Sequence, residues 1–267
     1  MKKVLITGAT DGIGLETAKL MAADGHHLLL HGRSASKIDS AVAQLSSAYP
    51  HANIETYLAD LSNFDDITAL IANIRTQHTS LDVIINNAGV LKLPNPITQD
   101  GLDARFVVNT LAPVMITQGL LPILSDNGRI VNLSSAAQAP VNVNAMLGTV
   151  TVGDDMQAYA QSKLALTIWV ANLAQQLSQT QVAVAVNPGS LLASKMVKEG
   201  FGVAGNDLSI GAQVLVDASF SEKFKTASGK YFDNDAKRFA NPHPFALNAD
   251  NCNTVMHAIN GLVTKHA

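Results

Sequence analysis

Short apolar runs alternate with helical patterns along almost the whole chain, and that alternation limits the fold more than any other feature. The runs are Lys3 to Thr7, Leu28 to Gly32, Asn53 to Ala59, Val83 to Asn87, Arg129 to Ser134, Val182 to Asn187 and Gly229 to Phe232. Between them Ile38, Ala41, Val42 and Leu45 recur at helical spacing, as do Ile67, Leu70, Ile71 and Ile74, and Leu166, Val170, Leu173 and Leu177 form a similar stripe. Strands joined by helices run parallel, because each right-handed crossover returns the chain to the same end of the sheet. The pattern predicts one α/β domain over residues 1–267: a doubly wound sheet of seven parallel strands with helices on both faces. Charged residues are only 15% of the chain, as strands covered on both sides require. Ligands of such sheets bind at the carboxyl ends of the strands, where the strand order reverses.

A net charge of −3 provides no broad basic face, so neither nucleic acid nor an anionic membrane is an expected partner. Met1-Lys2-Lys3 leads directly into a strand, without a charged leader and apolar core, and no apolar run approaches eighteen residues. A soluble cytoplasmic protein is the expectation. Cys252 is the only cysteine, which excludes an internal disulfide and reads as a packing residue. His26, His27 and His31 lack metal-ligand spacing and read as surface or packing residues; no metal is expected.

Two stretches interrupt the alternation. Gln138 to Met156 is long and nearly uncharged, and Ser194 to Asn206 contains Gly200, Gly202 and Gly205. Long irregular segments in compact domains usually serve a site. They are read as an insertion, 138–156, and a substrate loop, 194–206, with tolerated surface excursions as the alternative.

Gly8, Gly12 and Gly14, with Thr10, Asp11 and Ile13 between them, join the first strand to its helix. Glycines there permit a tight turn and close approach of backbone to a pyrophosphate, which the helix N-terminus attracts. At the end of the second strand a carboxylate would bind a ribose 2′-hydroxyl, but the chain reads His31-Gly32-Arg33-Ser34. Arg33 suits a 2′-phosphate, so NADP(H) is preferred as cofactor and NAD(H) is the alternative. Asp60-Leu61, ending the third strand, places a carboxylate for an adenine amino group or for capping the next helix. Asn86-Asn87-Ala88-Gly89 ends the fourth, where small residues let backbone lie against a cofactor.

Tyr159 and Lys163 stand at i, i+4 and share a face if a helix begins there. A nearby ammonium favours phenolate and lowers the phenol's pKa, which suits Tyr159 to acid–base work. Ser135 can hold a substrate oxygen beside the phenol. Asn109 can hold a water that passes protons toward Lys163. The implied reaction is hydride transfer between a nicotinamide and a carbonyl carbon. A dinucleotide-binding protein without catalysis is the alternative, and epimerisation or dehydration on the same fold is a third reading. Leu91, Leu93, Met146, Leu191, Met196 and Phe201 are candidate walls for a neutral, fairly hydrophobic ketone, aldehyde or alcohol.

With these residues in view, the chain resembles the short, single-domain branch of the short-chain dehydrogenase/reductase family, with its Rossmann-type sheet. The pattern T-G-x-x-x-G-x-G falls on Thr7 to Gly14 and N-N-A-G on Asn86 to Gly89. The resemblance implies catalytic roles for Asn109, Ser135, Tyr159 and Lys163, the last two also touching the cofactor. It sets Pro188-Gly189 beside the nicotinamide, with Leu191 and Ser194 as further contacts. Ala193 stands where the family usually has Thr or Ser. Of the adjacent Ser134 and Ser135, strand alternation lets only one face the substrate, and the family register selects Ser135. Asp100-Gly101-Leu102 to Pro113, the long gap before Tyr159, and Gly229 to Phe232 resemble the retinol dehydrogenase-like and protochlorophyllide reductase-like members. The resemblance makes a homodimer or homotetramer possible, paired through the helices bearing Asn109 and Tyr159, with obstruction of that face by the long insertion as the alternative.

Overall fold

The computed structural model describes residues 1–193 and 205–266. The first seven strands are β1 (Lys3–Ile6), β2 (His27–Gly32), β3 (Asn53–Leu58), β4 (Leu81–Asn86), β5 (Leu124–Leu133), β6 (Val182–Asn187) and β7 (Tyr231–Asp233). Each pairs in parallel with its neighbours, so the seven expected strands all form. An eighth, β8 (Arg238–Ala240), adds antiparallel to β7 and completes the order β3-β2-β1-β4-β5-β6-β7-β8. Three residues are too few to display a period, which is why sequence alone passes over it. It is held by Phe239, stacked edge-on against Phe224 and Phe232.

Among the described residues the α-helices are α1 (Gly12–Ala23), α2 (Ala35–Ala48), α3 (Phe64–Gln77), α4 (Ala104–Ile123), α5 (Val143–Met146), α6 (Asp155–Leu173), α7 (Leu208–Phe220) and α8 (Ala249–His266). Within α4, residues Val107–Leu111 form a π-helical turn. Strand alternation feeds two cores. Val4, Ile6, Leu28, Leu30, Val83 and Ile85 pack toward α1, α2 and α7, whereas Leu5, Leu29, Ile84 and Ile130 pack toward α3, α4, α6 and α8. The order reverses between β1 and β4, which opens the crevice where the site forms.

Several expectations are corrected. Residues 138–156 are not wholly irregular: Asn142 caps α5 through the N–H groups of Asn144 and Ala145, and α6 begins at Asp155. Met146 is 0% exposed within the core and lines no surface. The run Ala104–Ile123 is long and apolar enough to cross a membrane, contrary to the reading that no such run exists. It is also 72% buried, as the central helix of a core should be. Helix α4 is buried continuously from Ala104 to Thr117 and α6 from Ala160 to Val170. The chain's own α8 packs over this layer, with His266 stacked on Phe64 of α3 at 4.0 Å. The layer of α4 and α6 thus shares its core with a helix from the end of the same chain.

Gly14 is the tightest point of the turn after β1. A Cβ there would lie 2.5 Å from Asn87 Nδ2 and closer still to the Gly8 carbonyl. Gly14→Ala is expected to cost about 1–3 kcal/mol, the usual penalty of overpacking. Thermal unfolding checks this: the midpoint should fall by roughly 2–4 °C for each kcal/mol lost.

Candidate active site

The glycine turn is built by hydrogen bonds across the switch point. Thr7 Oγ1 accepts from the backbone N–H of Asn87 at 3.0 Å and of Ala88 at 3.1 Å. Asn87 Nδ2 donates to the carbonyls of Thr7 at 2.8 Å and Gly8 at 2.9 Å. The Asn87 amide therefore clamps the turn. Gly8 has φ +65 and lies so close to Ala88 that a Cβ would meet Ala88 Cα at 2.9 Å. His31, read as a surface or packing residue, is 2% exposed and bonds the turn: its Nδ1 lies 3.2 Å from the Gly8 nitrogen.

The N-termini of α1 and α2 suit a dinucleotide. Asp11 and Ser34 occupy their N-cap positions without a side-chain cap bond, leaving first-turn N–H groups for a ligand. The Asp11 carboxylate pairs with Lys37 at 2.7 Å. Ser34 Oγ lies 3.1 Å from Ser36 Oγ, and Arg33 beside it is exposed and makes no ion pair among the described residues. Thr10, Gly12 and Ile13 are partly exposed along the same crevice. Asp60 Oδ1 accepts from Ser62 N–H and hydroxyl, and Asn63 caps α3, so the capping alternative for Asp60 falls away. The Leu61 side chain belongs to the core and offers a ligand only its backbone. Gly89 is partly exposed beside Ala88. Backbone cradle, open helix ends and an exposed arginine together fit a dinucleotide.

At the other side of the crevice, β5 ends in two serines that face opposite ways. Ser134 bonds Thr167 Oγ1 at 2.7 Å and is buried against α6. Ser135 is partly exposed, as the register requires of the substrate-facing hydroxyl. Its carbonyl accepts from Tyr231 Oη at 3.0 Å and Gln138 Nε2 at 3.1 Å, two supports that nothing local in the sequence signals. Lys163 Nζ donates to the Leu133 carbonyl at 2.6 Å and lies 5.7 Å from the centre of the Tyr159 ring. Phenol, ammonium and hydroxyl thus gather where β5 meets α6.

Their electrostatics differ from expectation. Burial pushes the Tyr159 pKa up, and hydrogen bonding with Ser135 opposes it only in part. Burial also pulls Lys163 down to about 7, and no lowering of the phenol by the amine accompanies it. Asn109 differs too. Its Oδ1 accepts from Val90 N–H at 2.8 Å, and its Nδ2 donates to Val90 O at 2.9 Å and Ser162 Oγ at 3.0 Å. Fully buried, this amide pins the β4 loop to α6 and has no N–H left for a water.

The Pro188-Gly189 turn is tied down by the loop after β7. Asn187 Nδ2 donates to Asp233 and Asp235, and Asn234 Nδ2 to the Pro188 carbonyl at 2.8 Å. Leu191 is 44% exposed with φ +52, an uncommon conformation for a branched side chain. Leu91 is buried and Leu93 partly exposed. Ser194, Met196 and Phe201 lie outside the described residues.

A family model described as short chain dehydrogenase matches residues 2–201. The chain belongs to that family. Retinol dehydrogenase 12 of Mus musculus is 32% identical over 89% of this chain and 78% of its own. The chloroplastic short-chain dehydrogenase TIC 32 A of Brassica napus is 28% identical over 85% and 78%. A metagenomic short-chain oxidoreductase solved with NADP superposes with a TM-score of 0.62 at 26% identity, covering 82% of this chain and 90% of that one. Membership makes the protein an oxidoreductase of CH–OH and C=O groups that uses a nicotinamide dinucleotide.

The buried amine yields a stability prediction. The unfolded chain holds the Lys163 proton up to about pH 10.5, the folded protein only to about 7. Between these values the unfolded state binds more protons, so stability rises with pH; below about 7 the full burial penalty opposes folding. Lys163→Met should therefore raise the thermal midpoint at pH 7, by an amount that shrinks as pH approaches 10.5, while turnover collapses. Calorimetric melts at the two pH values check the sign.

Proposed function

We propose that the protein is an NADP(H)-dependent carbonyl reductase or alcohol dehydrogenase for neutral, fairly hydrophobic substrates, with Tyr159 as its acid–base group. The observation that supports this reading is the convergence of Ser135, Tyr159 and Lys163 where β5 meets α6, in the sheet whose first strand carries the Gly8–Gly14 turn. The dinucleotide supplies or accepts the hydride. Ser135 holds the substrate oxygen. Tyr159 donates a proton to that oxygen in reduction and takes it in oxidation. Its raised pKa keeps the phenol protonated, the state in which it can act as the acid of a reduction. Lys163, fixed by Leu133 O, orients the site through the N–H groups it has left.

Arg33 supports the choice of NADP(H): it is exposed at the end of β2, where an acid would otherwise stand, with Lys37 nearby on α2. The apolar Leu93 and Leu191 at the loop ends support an uncharged substrate, and the relatives of this chain include a retinol dehydrogenase. Leu91, buried, and Met146, in the core, are withdrawn from the substrate wall.

A panel of ketones, aldehydes and alcohols followed by nicotinamide absorbance tests the reading. Tyr159→Phe should lower turnover by about 10²–10⁴-fold, the usual share of acid–base catalysis, with dinucleotide affinity nearly unchanged. Retained turnover would remove Tyr159 from its role. Arg33→Ala should weaken NADPH by roughly tenfold, as loss of a charged hydrogen bond does, and NADH little; equal losses would defeat the cofactor preference.

A further inference from the structure

His31 joins the carboxyl ends of three strands. Its backbone carbonyl accepts from Ala9 N–H at 2.9 Å, and its Nδ1 lies 3.2 Å from Gly8 N. Its Nε2 lies 3.0 Å from the Ala59 carbonyl just past β3. The partners dictate the tautomer. Gly8 offers only an N–H, so Nδ1 must accept; Ala59 offers only a carbonyl, so Nε2 must carry the hydrogen. One neutral form of the ring satisfies both bonds. The imidazolium does not, because a proton on Nδ1 would point at the Gly8 N–H.

Gly8 is where the chain enters the turn, in a left-handed conformation and pressed against Ala88. Moving its N–H disturbs the cradle that the Asn87 clamp holds from the other side. Charged groups surround the ring on the neighbouring segments. Asp60, after β3, favours the charged ring. Asp11 in the glycine turn and Lys37 on α2 pair with each other, and Arg33 follows two residues along. Burial outweighs Asp60 and holds the ring's pKa below 6.5.

We propose that His31 is a positioning residue: it holds the glycine turn in its dinucleotide-accepting shape only while its ring is neutral, which links cofactor affinity to protonation of this one side chain. The proposal rests on the dinucleotide-binding reading above. The sign of the effect is diagnostic. An anionic ligand attracts a charged ring, so plain charge attraction would tighten binding in acid. Loss of the Gly8 bond weakens it.

The test is titration of NAD⁺ into the full chain from about pH 7.5 down to about pH 4.5, which reaches below the ordinary histidine range because burial lowers this ring's pKa. NAD⁺ lacks the 2′-phosphate, whose own second ionisation near pH 6 would confuse the result. Wild-type affinity should fall several-fold toward the acid end. His31→Asn keeps an acceptor near the Gly8 N–H and does not titrate; it should bind within a few-fold of wild type at pH 7.5 with a flat profile. His31→Leu should bind weakly at every pH. Nitrogen chemical shifts of the wild-type imidazole supply a readout independent of folding in the variants: a neutral ring protonated on Nε2 is expected. A flat or acid-strengthened wild-type profile, an Asn variant that still follows pH, or an Nδ1-protonated ring would overturn the role of His31 alone. Wild type that binds neither NAD⁺ nor NADP⁺ at pH 7.5 would overturn the cofactor reading beneath it.

Discussion

The parallel pairing of β1 with β4 is the constraint from which the site follows. It sets Ile6 opposite Ile85 and so brings Thr7 against Asn87 and Ala88. Two side chains then tie the turn between β1 and α1 to β4: the Thr7 hydroxyl accepts from the β4 end, and the Asn87 amide donates back to the Thr7 and Gly8 carbonyls. Gly8 and Gly14 are glycines because backbone fills the space a side chain would need. The open N-terminus of α1 points into the crevice as a result of that register.

The reacting side depends on a second junction, where β5 meets α6. Lys163 and Tyr159 come from one helix and Ser135 from the strand end. The buried Lys163 amine, bound to Leu133 O, fixes the two elements against each other. Burial that costs stability at neutral pH also shapes the chemistry, since it holds the phenol protonated and the amine close to neutral pH. Asn109 contributes by fixing Val90 against α6, and Arg105 of α4 bonds Asp103 and Asp155 at the start of the same helix. The reacting groups are held by buried polar contacts.

Helix α8 also packs against that layer. Its apolar stripe of Val255, Met256, Ile259 and Leu262 enters the core shared with α4 and α6, while Asn253, His257 and Asn260 face solvent. Both helices that carry site residues thus share one core with α8.

By itself the sequence determined the seven parallel strands and several of the helices, and it singled out the candidate chemistry-bearing residues. Period-2 and period-3.6 patterns are local, and Gly8-x-x-x-Gly12-x-Gly14, Ser135, Tyr159 and Lys163 lie within short contiguous motifs. Tertiary structure decided what each polar side chain touches, because the partner comes from a distant part of the chain. Ser134 and Ser135 differ only in which way the β5 pleat turns them. Asn109 became a staple because Val90 and Ser162 reached it first, and His31 a support of the glycine turn because β1 and β3 flank it. The phenol's raised pKa belongs to the same class, since burial is a property of everything packed around a group and no stretch of sequence records it.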